Sequence, residues 1–314
     1  MKRRELMHLV AGAAALAAAL PLMAEGRKQA AWKTAIGLNG FGSSSWKYKK
    51  TYPIWEVLDY ASRTGFDGIE LMMNWPMGGY PLPDETARVA ALKRLYDAYG
   101  LRIFSLQMGA GGAFAPDADA RKTFLEDFRN RAKLIKALGG DCVGMWPGGP
   151  LKGQTHEEAV RHVAGSFREA ARIGRDLGLV TAFEIEPPFI FNTEEHMKRI
   201  LAEADEPALK VIYDPSQFDL LSGSTGRPDQ MLTRIGIDRV GYVQLTDIDG
   251  TLRDGGTAKH LACGEGHAHV DISLATLLKG GFRGWVCIDA WEIPDPYDAC
   301  TKGKQAIDHA LAGA

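Results

Sequence analysis

The sequence predicts an α/β protein built as a single (β/α)8 TIM barrel, and two repeating patterns support that prediction. Short apolar runs alternate with stretches of helical periodicity, and glycines follow the predicted helix ends, where a left-handed backbone terminates a helix. Eight apolar strands separated by amphipathic helices favour a closed parallel barrel over the alternative, an open doubly wound sheet. The predicted strands are residues 35–39, 68–72, 102–107, 141–146, 180–184, 210–213, 240–245 and 285–289.

The predicted helices each carry one apolar face. Between residues 117 and 138, Phe124, Phe128 and Ala132 recur at four-residue steps, as expected for a helix that packs on a sheet. The longest segment without a predicted element is residues 246–270, between the seventh and eighth strands. Barrel enzymes keep functional loops at such positions, so we expect this segment to border a site.

The first 24 residues differ in kind from the rest of the chain. A basic start that includes Arg3 and Arg4 precedes an apolar run over residues 9–20 and a small residue, Ala24. This order is typical of an export signal, and the paired arginines resemble the twin-arginine type. The apolar run is shorter than the roughly 20 residues that a membrane anchor needs. We therefore expect a signal peptide over 1–24 and a barrel domain over 30–314. The mature protein would be periplasmic or secreted, without stable membrane association.

Composition excludes several classes of protein. A formal net charge of −2 at pH 7 provides no general attraction to nucleic acid, so no nucleic-acid partner is expected. The four cysteines are far apart and form no C-x-x-C pair, which disfavours a zinc knuckle or a redox dithiol. Cys142 and Cys287 fall in apolar runs and are interpreted as core residues. The sequence leaves open whether the chain forms a homo-oligomer.

Polar residues follow the predicted strands, at the end of the barrel where active sites lie. Glu184, Asp214, Gln244 and Asp289 come from the last four strands, so their side chains should converge. Three carboxylates together would raise one another's pKa, and a divalent cation removes that repulsion. All-oxygen ligation favours Mg²⁺ or Mn²⁺ over zinc. For any one of these residues, a solvated strand-end carboxylate is the alternative.

Several segments resemble the xylose-isomerase-like barrel superfamily, described as sugar phosphate isomerases and epimerases. In chain order they are GFDGIEL (65–71), AFEIEP (182–187), DPS (214–216), GEG (264–266) with His260 before it, and GFRGW (281–285). The resemblance implies that Glu184, Asp214, Gln244 and Asp289 hold a divalent metal. The Gln-Leu-x-Asp form of residues 244–247 is closer to the hydroxypyruvate-isomerase and 3-dehydroshikimate-dehydratase branches than to the epimerases.

The sequence departs from that pattern at two positions. Asp289 stands where relatives usually have Glu, and it is one methylene shorter, so Glu292 is an alternative eighth-strand carboxylate. Gln217 stands where many relatives have His, and an amide does not exchange protons near neutral pH.

The predicted activity is a sugar isomerase or epimerase that moves a proton next to a carbonyl through an enediolate. Glu184 would be both ligand and base, and Asp289 or Glu292 the partner acid/base. A dehydratase of a keto-sugar or keto-cyclitol is the first alternative, and a non-catalytic sugar-binding protein is the second. Trp75 and Trp291 could stack on a sugar ring, and Lys259 could hold a phosphate. The expected substrate contacts are Glu70, Gln107, Trp146, Glu186, Gln217 and His260.

Overall fold

Eight parallel strands close into a barrel, which confirms the predicted fold and excludes the open sheet. In the closing pair, Ala35 lies beside Cys287 and Ile36 beside Ile288, so the last strand returns to the first. The computed structural model describes residues 32–72, 79–187, 189–221, 226–253 and 256–313. The predicted signal over residues 1–24 and Trp75 lie outside the described residues, and both stay predictions.

The strands agree with the predicted bounds to within two residues, and the largest difference is at the first strand, where Leu38 and Asn39 already begin a helix. The barrel strands are β1 (Lys33–Gly37), β2 (Gly68–Met72), β3 (Arg102–Gly109), β4 (Cys142–Trp146), β5 (Val180–Phe183), β6 (Leu209–Tyr213), β7 (Val240–Leu245) and β10 (Trp285–Ile288).

The segment between β7 and β10 corrects the expectation of an irregular loop. It contains an antiparallel hairpin of β8 (Asp247–Leu252) and β9 (Ala258–Leu261), in which Ile248 pairs with His260. Ile248 is fully buried in a small apolar cluster with Ala258 and Ala268, and Leu220, at the end of the helix that follows β6, packs against this cluster. The hairpin therefore places β9 side chains beside the strand ends.

The helices follow the predicted periodicity and have identifiable ends. They are α1 (Leu38–Tyr48), α2 (Ile54–Thr64), α3 (Thr86–Asp97), α4 (Ala118–Leu138), α5 (His156–Asp176), α6 (Glu194–Ala204), α7 (Pro215–Leu220), α8 (Pro228–Ile235), α9 (Val270–Lys279) and α10 (Pro296–Ala312). Helix α4 buries Phe124 and Phe128 and ends at Gly139, whose φ of 82° is the left-handed conformation that glycine adopts without strain. No helix among the described residues has the length and apolar character needed to cross a membrane.

The inside of the barrel is a packed apolar core. Within it the rings of Phe104 and Trp285 stack with their centroids 4.5 Å apart. Cys142 and Cys287 belong to the same cluster and carry free thiols, as predicted for core residues. Burying a large apolar side chain stabilises the fold by about 1.5–3 kcal/mol. A polar cluster inside such a scaffold would be costly, so the polar residues at one end call for a separate explanation.

Candidate metal and active site

A cavity of about 310 Å³ opens at the carboxyl ends of the strands. Its wall combines acidic and amide side chains with large aromatic rings, and among the described residues that line it there is no lysine or arginine. The polar side chains are Asn39, Glu70, Gln107, Glu184, Glu186, Gln217, Thr257, His260 and Asp289, and the aromatic ones are Trp46, Trp146, Phe189 and Trp291.

The strand ladder holds two of the predicted metal ligands in place. The amide of Glu184 donates to the carbonyl of Met145 at 2.8 Å, and the amide of Asp289 donates to that of Leu245 at 3.2 Å. These bonds continue the parallel pairing one residue beyond β5 and β10. Both carboxylates therefore project from rigid backbone, and they are 3% and 5% exposed.

Asp214 is buried and directed by a helix cap. It precedes α7, and its Oδ1 accepts from both the amide and the hydroxyl of Ser216 at 2.8 Å. A carboxylate at this position is stabilised by the first amides of the helix. Its Oδ2 is buried and has no hydrogen-bond donor. One oxygen therefore fixes the orientation while the other is left for a ligand.

Asp289 shows the same division between its two oxygens. Oδ1 accepts from the side-chain amide of Asn39 at 2.7 Å and from the amide of Trp291 at 3.0 Å. Oδ2 lies 3.8 Å from Nδ1 of His260, which is too far for a hydrogen bond. The ligand atoms of Asp214, His260 and Asp289 all lie within 4.8 Å of one another, so these three residues could hold a metal ion.

Glu184 is oriented by an amide and crowded by carboxyls. Its Oε2 accepts from Nε2 of Gln107 at 2.7 Å, and no donor reaches Oε1. Burial raises the pKa of Glu184, and the charges of Glu186, Asp214 and Asp289 raise it further. Burial and the charge of Asp289 likewise raise the pKa of Glu186 to about 7, although contact with Glu184 partly opposes the rise. The pair can therefore share a proton near neutral pH.

Asp214 and Glu70, two further acidic groups at this end of the barrel, also have raised pKa values. Burial raises the pKa of Asp214, and the charge of Asp289 adds to the effect. Burial also raises the pKa of Glu70 to about 7, against hydrogen bonds that favour its charged form. A divalent cation at this end of the barrel would reverse these shifts because it stabilises the charged carboxylates.

Gln244 takes part in an amide network. Its Nε2 donates to Oε2 of Glu70 at 2.6 Å, and it exchanges longer contacts of 3.3 and 3.4 Å with the amide of Gln107. The structure thus joins Gln244 and the predicted substrate contacts Glu70 and Gln107 in one chain that ends on Glu184. The assignment of Gln244 as a metal ligand stays a prediction.

A family model described as the xylose isomerase-like TIM barrel matches residues 58–311. The chain belongs to this family. The match spans β2 to α10 and includes all four predicted metal ligands. No curated protein sequence matches the chain.

Solved structures share the fold of this family member at low sequence identity. The IOLI protein with a bound zinc atom has a TM-score of 0.70 at 16% identity, over 90% of this chain and 98% of that one. D-allulose 3-epimerase from Methylomonas sp., in complex with D-allulose, has a TM-score of 0.67 at 18% identity, over 88% of this chain and 96% of that one. The probable 3-DHS dehydratase AsbF from Bacillus anthracis has a TM-score of 0.65 at 13% identity, over 88% of this chain and 98% of that one. At such identities the likeness establishes the fold.

The structure separates Asp289 from Glu292, the two candidates for the eighth-strand carboxylate in this xylose isomerase-like chain. Asp289 lines the cavity, whereas Glu292 is absent from the lining described here. Glu292 forms ion pairs with Lys47 and with Arg253, the latter at 3.5 Å. Its carboxylate is therefore committed to these cations, and the geometry favours Asp289.

Two other predicted features of this family member have structural partners. Asp247 accepts from the amides of Gly264, Gly266 and Ala268 at 3.0–3.1 Å, so it organises the loop after β9. Lys259, considered for phosphate binding, forms an ion pair with Asp249. Neither side chain is in the described lining of the cavity.

Asn39 and Trp46 are among the cavity residues that the sequence did not predict, together with Phe189 and Thr257. Asn39 follows the first strand, and the rule that identified polar strand ends would have found it had the first strand been included. Trp46 lies on α1 and is 50% exposed, and no pattern in the sequence marks it as a cavity residue. Both matter because Asn39 orients Asp289 and Trp46 extends the aromatic wall.

Proposed function

We propose that this protein is a divalent-metal-dependent sugar isomerase or epimerase that transfers a proton next to a carbonyl. The observation that supports this most directly is the set of buried carboxylates at neighbouring strand ends. Glu184 and Asp214 each have one oxygen held by the protein and one without a donor. A buried carboxylate is costly unless a cation or donors satisfy it.

The residues present fit a hard divalent ion. Glu184, Asp214, Gln244 and Asp289 would supply oxygen ligands, which favour Mn²⁺ or Mg²⁺. When bound, such an ion supplies a positive charge that polarises the substrate carbonyl and stabilises the negative charge of an enediolate.

Glu184 and Glu186 are the carboxyl pair that would transfer the proton. Glu184, oriented by Gln107, would remove the proton on the carbon next to the carbonyl. Glu186 lies in contact with Glu184, so it is placed to exchange that proton with Glu184. Asp289, held by Asn39, is the candidate for returning a proton at the other position or face.

The cavity wall favours a neutral sugar. The described lining contains no lysine or arginine to neutralise a phosphate, and Lys259 is already paired with Asp249. Trp146 stacks near Phe189 with ring centroids 5.8 Å apart, and such a surface suits the apolar face of a sugar ring. We therefore expect unphosphorylated ketoses to bind more tightly than their phosphates.

The test is an NMR assay in deuterated buffer with added Mn²⁺, using a panel of ketoses, aldoses and keto-cyclitols. Manganese is removed by chelation before the spectra are recorded. Deuterium incorporation into a new sugar without loss of water supports the proposal. A conjugated product that absorbs ultraviolet light would replace it with the dehydratase alternative, and saturable sugar binding without exchange would replace it with the sugar-binding alternative. Glu184→Gln is the matched control, because it should abolish exchange while retaining the bond from Gln107.

A further inference from the structure

His260 lies at the centre of the site although it comes from the hairpin and not from a barrel strand. It is 3% exposed, and its Nδ1 has no hydrogen-bond partner. That nitrogen lies 3.8 Å from Oδ2 of Asp289, and Oδ2 of Asp214 is likewise buried and without a donor. We propose that Nδ1 of His260 is a ligand of the catalytic cation and that Gln217 sets the tautomer that makes it one. This inference rests on the metal dependence proposed above.

The spacing of the three side chains fits a shared ion better than direct contacts. A separation of 3.8 Å is too long for a hydrogen bond. Two atoms bound to one ion at about 2.0–2.2 Å are about 3 Å apart when adjacent and up to about 4.4 Å apart when opposite. The His260–Asp289 separation falls within that range. The ligand atoms of the other two pairs also lie within 4.8 Å of each other.

Gln217 determines which ring nitrogen of His260 carries the proton. Nε2 of Gln217 faces Nε2 of His260 at 3.3 Å, while Oε1 of Gln217 is buried without a partner. A half-turn of the amide exchanges these two atoms, and Oε1 then accepts a proton from Nε2 of the imidazole. The lone pair of Nδ1 then faces Asp214 and Asp289. A metal-bound histidine commonly donates its other N–H to such an acceptor.

The hairpin keeps His260 in this position. β9 pairs with β8, and the guanidinium of Arg253 donates to the carbonyl of His260 at 3.1 Å. Asp247 holds the loop that follows β9 through three backbone amides. The hairpin would therefore contribute to the metal site directly. A nitrogen ligand would also shift the preference of the site from Mg²⁺ toward Mn²⁺, Co²⁺ or Zn²⁺.

The experiment measures metal binding by the full chain without substrate. Co²⁺ is titrated into wild type and into His260→Gln, with affinity and the visible absorption bands of the ion as readouts. We expect His260→Gln to weaken Co²⁺ binding by about 100-fold or more and to change the bands, and Gln217→Leu to weaken it by about 10-fold. His267→Gln is the matched control, because His267 lies in the same region but is exposed and paired with Asp219. It should leave both readouts unchanged.

A second measurement uses wild type alone, so that it does not depend on how a variant folds. In protein labelled with ¹⁵N-histidine, Zn²⁺ should shift one Nδ1 resonance to the metal-bound range while its Nε2 stays protonated. If wild type binds Co²⁺ and Asp214→Asn weakens binding, but no histidine resonance responds and His260→Gln matches wild type, this inference is overturned and the proposed function stands. If wild type binds no divalent ion, both are overturned.

Discussion

Two regions hold buried carboxylates in opposite ways: the helices around the barrel, here called the outer wall, and the carboxyl ends of the strands, here called the mouth. At the start of α6, Glu194 accepts from the guanidinium of Arg234 at 2.8 and 2.9 Å and also pairs with Lys198. At the mouth, Glu184 and Asp214 are buried, and the described cavity wall offers no lysine or arginine. The same chain therefore supplies cations to some carboxylates and withholds them from others.

The pKa values follow from that difference. The hydrogen bonds from Arg234 lower the pKa of Glu194 to about 2, whereas burial raises the pKa of Asp214. A group whose charged form is disfavoured in the free protein becomes useful when a ligand supplies the missing charge. The mouth is consequently the part of the fold where stability is given up for function.

The largest expected effect comes from Asp214→Asn. Asparagine is also a good helix cap and keeps the bonds to Ser216, so the fold should be retained. Loss of the negative charge should weaken metal binding and lower kcat/KM by about 1,000-fold, because a bound ion contributes several kcal/mol to the transition state. Steady-state kinetics with Co²⁺ or Mn²⁺ titration measures both effects. Activity within 10-fold of wild type would remove Asp214 from the metal site.

Removing one charge from the mouth should stabilise the metal-free protein. Glu184→Gln keeps the shape of the side chain and relieves repulsion from Glu186, Asp214 and Asp289. We expect a gain of about 1–2 kcal/mol in the free energy of unfolding at pH 8, or a Tm higher by a few degrees. In saturating Mn²⁺ the order of the two Tm values should reverse, so that wild type becomes more stable than Glu184→Gln. An equal or lower Tm in the metal-free state would contradict the electrostatic account of the mouth.

The comparison also explains how much of the molecule the sequence could predict. The barrel and its strand ends follow from local periodicity, and so does the convergence of Glu184, Asp214 and Asp289. The hairpin was not predicted because its strands are short and its pairing joins Ile248 to His260 across a turn. The role of Glu292 could not be assigned because its partners, Lys47 and Arg253, are distant in the sequence. Local patterns identify elements, whereas tertiary contacts decide which neighbouring carboxylate faces the cavity.

On the outer wall, Glu194→Gln should destabilise the protein in a pH-dependent way. Because the folded pKa of about 2 lies below the ordinary value of 4.5, the contribution is complete above pH 4.5 and disappears as the pH falls toward 2. We expect a loss of about 1–2 kcal/mol at pH 7 and a smaller difference from wild type at pH 3, measured by urea unfolding. Glu195→Gln, an exposed neighbour in the same helical turn, should change stability by less than about 0.5 kcal/mol at either pH.

The smallest expected effect distinguishes the two carboxylates after β10. Glu292 pairs with Lys47 and Arg253 near the surface, and such pairs contribute about 0–1 kcal/mol, so Glu292→Gln should keep kcat/KM within about threefold of wild type. Lys47→Met should behave in the same way. Asp289→Asn should instead lower kcat/KM by about 100-fold or more, because Asp289 faces the cavity beside His260. The reverse order would show that Glu292 leaves its cations when substrate binds, and the mouth would then include a carboxylate that the free protein keeps paired.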